Sequence, residues 1–272
     1  MTANEWIAAG ELDRGIDVLS ETLRHDPRDV ASRVSLFTLL CLSGRWDRAA
    51  VQLDAWESLG VSPIDGLDPA RYRVLFEAER ARQRYFEDGS PPQIFGPPGA
   101  GVTQTIAVGQ LVAAGKADEA RRLIDQFDDQ RPPRRGRLGE QPFDDFRDAE
   151  DLMDPVLEIL APQGYYWVGW EEVQFLDVVP PRSLLDLLWV PARLALATGV
   201  IALVVLPGLY STTWSHPDEL VRLGRRNDWI DLGAGLVRGA GAKVYDLGGQ
   251  SKALLELQDL SFDAMKPTNA ES

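Results

Sequence analysis

The chain has 272 residues, with 42 acidic against 28 basic residues and a formal net charge of −14. This charge would repel a phosphate backbone, which argues against general nucleic-acid binding. The hydrophobic share of 44% and the charged share of 26% are typical of an ordinary globular protein. The length suffices for one large domain or two modest ones, and the sequence favours two.

Residues that could bind a metal or carry catalysis are scarce. Cys41 is the single cysteine, so the chain has no intrachain disulfide and no multi-cysteine metal site. His25 and His216 are the two histidines, which argues against Ser-His-Asp, Cys-His and His-rich metal chemistry. Glu5 and Glu11 lie where a signal peptide would be basic and then apolar. We therefore expect a cytoplasmic protein that has no cofactor and no metal.

The first half of the chain contains a repeat with an offset of 34 residues. Gly10 aligns with Gly44, Leu12 with Trp46, and a third copy of the turn begins at Gly115. This period is typical of tetratricopeptide-like helix pairs, whose apolar faces are buried by the neighbouring pair. The glycines would lie in the turns, where a left-handed backbone is often needed. The pattern predicts an array of about six helices over residues 3–130, including one at residues 68–86.

A loop rich in proline and glycine, residues 89–101, interrupts this array. Residues 96–103 fit the phosphate-loop pattern G-x-x-x-x-G-K-[ST] except at the lysine, which is Val102. The missing lysine would supply positive charge to the phosphates, and residues 90–95 do not resemble the buried strand that should precede such a loop. The sequence therefore predicts an interhelical loop that does not bind nucleotide.

A domain boundary is predicted at residues 131–142, which combine proline and glycine with four arginines. Residues 1–142 carry 22 acids and 18 bases, a net charge of −4, and residues 143–272 carry 20 acids and 10 bases, a net charge of −10. We expect a tetratricopeptide-like helical domain at 1–130, a solvated linker at 131–142, an α+β domain at 143–265 and a disordered tail at 266–272.

In the second half, residues 148–160 are predicted as a helix and Tyr165 to Val168 as a strand, with further elements at 171–175 and 182–197. Residues 194–210 are uncharged, but glycine and proline break the run before it reaches membrane-spanning length. Residues 200–206 are therefore predicted as a buried strand. Mixed helix and strand in this half makes the expected fold class α+β.

Candidate chemical sites in this half are weak. Five aspartates, which we expect to lie at a helix start where the macrodipole favours acids, are Asp144, Asp145, Asp148, Asp151 and Asp154. Four glycines, Gly233, Gly235, Gly239 and Gly241, do not reproduce a dinucleotide-binding fingerprint and are interpreted as a turn or sheet corner. No catalytic residue is predicted.

Several short motifs distributed over residues 143–241 carry a family resemblance. They include Phe146-Arg147-Asp148-Ala149-Glu150-Asp151-Leu152, Tyr165-Tyr166-Trp167-Val168, Asp186-Leu187-Leu188-Trp189, Arg222-Leu223-Gly224-Arg225 and Asp228-Trp229. With these motifs the chain resembles the ImpE/SciE family, also called TagJ, of accessory proteins of bacterial type VI secretion systems. Gly169 and Asn227 depart from the expected proline and threonine.

The resemblance implies a cytoplasmic, non-enzymatic adaptor that binds the small subunit of the contractile sheath and, as a second partner, the AAA+ ATPase that recycles the sheath. Neither nucleic-acid binding nor membrane insertion is expected. Two alternatives stay open: an enzyme with its site in the acidic C-terminal domain, and an unrelated peptide-binding scaffold of tetratricopeptide type. Genome context and the presence or absence of a deep polar pocket would discriminate among them.

Stacked helix pairs form a concave groove that binds a partner helix through apolar anchors. If the first helix of each pair lines that groove, the partner-binding residues of the helical half are Arg33, Phe37, Leu40, Tyr72 and Phe76. In the C-terminal half, the candidate partner-binding residues are Trp167, Trp170 and Trp229.

Overall fold

The computed structural model describes residues 3–60, 67–96 and 98–263. In the first half of the chain, consecutive helices pack against one another. They are α1 (Ala3–Ala9), α2 (Leu12–His25), α3 (Val30–Leu42), α4 (Trp46–Ser58), α5 (Pro69–Asp88), α6 (Ala100–Ala113) and α7 (Ala117–Gln130). A helical array at residues 3–130 is therefore correct, although its classification as tetratricopeptide-like stays a prediction. A two-residue strand, β1 (Gln93–Ile94), lies in the loop before α6.

The predicted turn glycines lie where the repeat places them. Gly10 precedes α2 and Gly44 precedes α4, with φ of 74° and 66°. Both backbones are thus left-handed, which favours glycine. A Cβ at Gly44 would lie 2.2 Å from the Trp214 ring, so the second reason for glycine here is a close approach by the C-terminal half of the chain.

The second half is built mainly of strands. They are β2 (Gly136–Leu138), β3 (Gln141–Phe143), β4 (Phe146–Asp148), β5 (Val156–Ala161), β6 (Gly164–Gly169), β7 (Val173–Val178), β8 (Trp189–Leu196), β9 (Ile201–Pro207), β10 (Asp228–Asp231), β11 (Val237–Ala240), β12 (Val244–Leu247), β13 (Ser251–Ala253) and β14 (Leu260–Phe262). Two short helices, α8 (Leu185–Leu188) and α9 (Glu219–Arg222), lie between them. The predicted α+β class is confirmed.

Nine strands form one mixed sheet in the order β1-β6-β5-β9-β8-β7-β14-β2-β3. The pairs along it are antiparallel except β1 with β6. A three-stranded sheet, β13-β12-β4, and the hairpin β10-β11 are separate from it. Both faces of the large sheet are covered, because side chains along β5 point to opposite faces. Leu160 belongs to the core shared with the helices, and Leu157 and Ile159 belong to the core shared with the small sheet. The molecule therefore has three layers: helices, large sheet and small sheet.

The helical array packs against the large sheet, which covers two of the predicted groove residues. The ring of Trp189, at the start of β8, lies 6.0 Å from the Phe37 ring and 6.1 Å from the Tyr72 ring. Burial of such rings contributes both apolar area and favourable ring geometry. The helices and the sheet consequently share one continuous core.

The prediction of a helix at residues 148–160 is wrong. The chain forms β4, a series of turns over Ala149 to Pro155, and then β5. Pro155 disfavours a helix through this segment. The apolar run after it forms β5, and it is continuous because both faces of this strand are buried, one under each neighbouring layer.

The segment expected to be a solvated linker, residues 131–142, contains β2 and most of β3. Residues of β2 pair with both β3 and β14, and the Arg134 side chain is buried. Arg131 and Arg134 form ion pairs with Asp145 and Asp154, whereas Arg135 and Arg137 are solvent-exposed. The division into domains stays a prediction, and the tail expected at 266–272 lies outside the described residues.

The strand predicted at residues 200–206 is present as β9, but it is not buried as expected. Leu206 is buried, whereas Ile201 and Leu203 are 81% and 83% exposed. Neither the helical array nor the small sheet covers the first half of this strand. The prediction of a strand at residues 200–206 is therefore correct, but the prediction that this strand is buried is wrong for its first half.

Truncation of Trp189 tests the shared core. We expect Trp189→Ala to lower the free energy of unfolding by about 3 to 5 kcal/mol, because it leaves a cavity between Phe37 and Tyr72. Urea denaturation followed by circular dichroism measures this change. Val51→Ala on the exposed face of α4 is the matched control and should change stability by less than about 0.5 kcal/mol. A Trp189→Ala protein as stable as the control would contradict the shared core.

Candidate interaction surface and buried ionic cluster

A buried ionic cluster joins the three layers. It comprises Glu79 and Arg82 of α5, Glu158 of β5, Asp148 at the end of β4, Glu150 shortly after it, and Lys243 just before β12. All six residues are at most 5% exposed. Burying so many charges is unfavourable unless they are paired and hydrogen-bonded.

Glu158 lies at the centre of this cluster. Arg82 donates from Nε to Glu158 Oε1 at 2.7 Å, and Lys243 Nζ lies 2.8 Å from Glu158 Oε2. The Tyr165 hydroxyl donates to the same carboxylate at 2.5 Å. Arg82 also pairs with Glu79 at 3.0 Å, one helical turn away. The Glu158 carboxylate thus accepts from Arg82 of helix α5, from Tyr165 of its own sheet, and from Lys243, which precedes β12 of the small sheet.

The pKa values follow from these contacts. Burial alone would raise the pKa of Glu158, but the charges of Arg82 and Lys243 outweigh it and hold that pKa well below its ordinary value. Burial likewise would lower the pKa of Lys243, but the Glu158 carboxylate raises it instead. Both groups are therefore charged at neutral pH, and the pair is a permanent electrostatic link.

Glu150 differs from the other acids of the cluster. Burial, followed by the neighbouring Asp148 charge, raises the pKa of Glu150 to about 8. Its Oε1 has no hydrogen-bond partner, and the nearest cation, Arg238, is 3.9 Å away. A carboxyl that is buried and poorly compensated holds its proton at neutral pH.

The five aspartates predicted at a helix start do not lie at one. Asp145 accepts from Arg131 and from the Arg134 backbone, and its pKa is far below the ordinary value even though burial opposes this. Asp154 is buried beside the Arg134 guanidinium, and Asp151 accepts from the Val237 backbone. Asp144 is solvent-exposed. The contacts of Asp145, Asp151 and Asp154 therefore hold the first strands of the second half in place.

The segment resembling a phosphate loop leads into α6, which begins after Gly99. A two-residue strand, β1, precedes the loop, but it is not the buried strand of a phosphate-loop site, since Gln93 is exposed and Ile94 is only partly buried. The Glu171 carboxylate accepts from the Gly101 backbone N–H at 3.2 Å and lies against Gly99. A carboxylate thus occupies the position at the helix N-terminus that a phosphate would take. Absence of nucleotide binding stays a prediction, and Pro97 lies outside the described residues.

Most of the predicted partner-binding residues are in the interior. Those at most 8% exposed are Arg33, Phe37, Leu40, Tyr72, Phe76, Trp167 and Trp170. Phe37 and Tyr72 are covered by Trp189 of the large sheet, whereas Trp170 packs against Phe146 and Tyr245 on the side of the small sheet. Trp229 is 41% exposed on β10 and is the exception among the eight.

The β10-β11 hairpin presents Trp229 together with Ile230, which is 38% exposed. The Trp229 ring lies 5.8 Å from the Tyr210 ring, edge to face. His216 contacts the Asp228 carboxylate at 3.1 Å and accepts from the Asp218 backbone N–H. Gly233, Gly235 and Gly241 have positive φ, as the turn interpretation requires.

A second exposed apolar surface, on and beside β9, was missed by the sequence analysis. This surface, which we call the β9 patch, comprises Ile201 and Leu203 of β9, Val200 just before β9, and Phe95 just after β1. Phe95, Val200 and Leu203 also line an adjoining cavity of about 190 Å³, whose lining contains no charged residue. The uninterrupted apolar run at 200–206 was the available signal, but it does not show whether another element covers the strand.

The described part of the chain offers neither a metal-binding cluster nor a membrane-spanning helix. Within residues 3–60, 67–96 and 98–263 no group of three or more His, Cys, Asp or Glu side chains is arranged to hold a metal ion. Over the same ranges, no helix has the length and apolarity required to cross a membrane. Cys41 is buried as predicted, and burial raises its pKa well above the ordinary value, which makes it unreactive.

Replacing Arg82 tests how much the Arg82–Glu158 ion pair contributes to the free energy of unfolding. We expect Arg82→Met to lower the free energy of unfolding by about 3 to 5 kcal/mol, because Glu158 then keeps its burial but loses one cation. Arg73→Met, at the more exposed ion pairs of α5 with Asp54 and Glu57, is the control and should cost about 1 kcal/mol or less. Urea denaturation of both variants is the measurement. Equal losses would contradict the central role of Glu158.

Glu150→Gln should make the protein more stable at alkaline pH. The unfolded chain releases this proton near pH 4.3, whereas the folded chain holds it until about pH 8. Rising pH therefore lowers stability between these values and has no further effect above them. We expect the stability gain of Glu150→Gln to grow to about 1 to 3 kcal/mol between pH 5 and 8 and then to level off.

Denaturation at pH 5, 7 and 8.5 measures this gain. The exposed Glu87→Gln on α5 serves as the control, with a stability difference of less than about 0.5 kcal/mol at each pH. A constant or falling difference for Glu150→Gln would show that the carboxyl is ionised in the folded protein.

Comparison with known proteins places the chain in a family. The model of the family described as ImpE protein matches residues 140–261. The type VI secretion system accessory component TagJ of Pseudomonas aeruginosa is 34% identical over 270 residues, covering 99% of this chain and 93% of that protein. A crystal structure of protein VPA1032 from Vibrio parahaemolyticus shares the fold, with a TM-score of 0.85, 21% identity and 99% of both chains covered. The chain belongs to the ImpE family, as the resemblance in its sequence motifs predicted.

Proposed function

We propose that this protein is a non-enzymatic, cytoplasmic accessory protein of a bacterial type VI secretion system that binds the small subunit of the contractile sheath. The accessory role is supported by membership of the ImpE family and by the 34% identity to TagJ. The AAA+ ATPase that recycles the sheath is the second proposed partner.

The single observation that carries a binding function is the β9 patch. Ile201 and Leu203 are more than four-fifths exposed, on a strand that lies inside a nine-stranded sheet rather than at a loop tip. Single exposed apolar residues are ordinary, but a contiguous apolar surface beside an apolar cavity is typical of an interaction site. Phe37 and Tyr72, two of the predicted groove residues, are covered by Trp189, so the proposed binding surface moves to β9.

The buried ionic cluster does not favour the enzyme alternative. Its pKa shifts resemble those of a catalytic site, but its charged side chains are at most 7% exposed and already pair with one another. The small cavity beside Arg82 measures about 30 Å³, room for little more than a water molecule. A structural role accounts for the shifts.

The test uses the full-length protein and the purified small sheath subunit from the same organism. We expect Leu203→Asp to weaken binding at least 10-fold, equivalent to about 1.4 kcal/mol, because a carboxylate would be buried in an apolar contact. Val51→Asp is the matched control, since Val51 is 60% exposed on α4, in the helical layer. Isothermal calorimetry measures both affinities.

Each outcome is informative. No binding of the wild-type protein to the subunit would overturn the proposed partner. Binding that survives Leu203→Asp but is lost in Trp229→Ala would place the contact on the β10-β11 hairpin. Binding of the ATPase alone would replace the sheath subunit with the second proposed partner.

A further inference from the structure

The first half of β9 has one edge with no strand beside it. Its pairing with β8 is continuous from Ile201 to Pro207, but its register with β5 on the other edge is a single pair, Val205 with Leu160. The β5-β6 hairpin turns back at Pro162 and Gln163, so β9 extends past it. Between residues 200 and 204 the outer edge of β9 is therefore open.

The hydrogen-bond pattern shows which backbone groups face this open edge. The Leu196 N–H donates to the Val200 carbonyl, and the Gly208 N–H donates to the Leu188 carbonyl. Antiparallel strands alternate between hydrogen-bonded and non-hydrogen-bonded pairs, so residues 200, 202, 204 and 206 direct their backbone groups to β8. Ile201 and Leu203 consequently direct their N–H and C=O groups to the open edge, where no described residue pairs with them.

Both faces of this edge are apolar. Ile201 and Leu203 expose their side chains on one face, while Ala202 and Val204 line the cavity of about 190 Å³. Natural proteins protect such edges with charges, proline or bulges because they otherwise pair with other chains. Residues 200–206 contain no charge and no proline. An unprotected edge of this kind is suited to pairing with another chain.

We propose that β9 binds its partner by strand addition: an extended segment of the partner protein pairs with the backbone of Ile201 and Leu203. Alternate side chains of the added strand contact Ile201 and Leu203 on one face. A large apolar side chain between them enters the cavity, since apolar cavities of about 150 Å³ already hold a benzene-sized group. This mode rests on the proposed function, which supplies the sheath subunit as the partner.

A second copy of this chain fits the edge less well. In two-fold antiparallel self-pairing centred on Ala202, the side chain opposite Ala202 would again be Ala202, which is too small to fill the cavity. The absence of charge also favours an apolar segment over a basic or acidic one.

Proline substitution separates backbone pairing from side-chain contact. The Ile201 N–H faces the open edge, so Ile201→Pro removes a donor to the partner while leaving the β8 ladder bonded. Ile201→Ala removes the side chain and keeps the donor. We expect Ile201→Pro to weaken binding of the sheath subunit at least 10-fold and to exceed the loss in Ile201→Ala. Ala202→Phe, which fills the cavity from within, should also weaken binding at least 10-fold, whereas Ala202→Val should have a smaller effect.

Amide hydrogen exchange supplies a readout that does not depend on a variant folding correctly. In the wild-type complex the Ile201 and Leu203 amides should gain protection. Subunit binding without that protection, and with Ile201→Pro no weaker than Ile201→Ala, would overturn strand addition and leave the proposed function intact. Loss of all wild-type binding, including to peptides spanning the subunit, would overturn both.

Two other occupants would be recognised in the same experiments. Concentration-dependent self-association that protects both amides in the free protein would assign the edge to a second copy. Protection in the free protein that disappears in a chain ending at Asp263 would assign it to residues 264–272. Either result overturns the proposal.

Discussion

The arrangement of the three layers depends on one buried carboxylate. Glu158 lies on the large sheet and accepts from Arg82 of the helical array and from Lys243 beside the small sheet. A buried ion pair seldom adds net stability over a well-packed apolar contact, but removing one member leaves an uncompensated charge. The interaction therefore acts as a constraint on register: any displacement of the helices along the sheet would separate charges that water cannot reach. Trp189, packed on Phe37 and Tyr72, supplies the apolar part of the same interface.

The sequence correctly predicted those elements whose conformation depends on residues close together in the chain. The 34-residue offset places α2 and α4 correctly, since Gly10 and Gly44 adopt the left-handed turns that the repeat requires. The uncharged run at 200–206 correctly indicated a strand. The predicted helix at 148–160 failed because acids at a spacing of three residues resemble a helix start, whereas Asp148 and Asp154 are held by Lys243 and Arg134. Those partners are distant in the sequence or belong to a segment that was interpreted as a linker.

The candidate site could not be predicted for a similar reason. Phe37 and Tyr72 have the residue types and helical positions of groove anchors, and what covers them is a tryptophan more than 100 residues further along the chain. Periodicity shows that a face is apolar, but it does not show which element covers that face. Ile201 is the converse case, because its neighbours in sequence suggest burial while the β5-β6 hairpin ends before reaching it.

These two cases are connected through the same sheet. The helical array packs against the chain's own C-terminal half, so a partner helix bound at Phe37 and Tyr72 would require opening a core that Arg82 and Glu158 link. Opening that core would cost much of the marginal stability of a typical protein. An exposed edge requires no such opening, because Ile201 and Leu203 already present their backbone groups to solvent. The burial of Phe37 and Tyr72 is thus the physical reason for proposing β9 as the partner-binding surface.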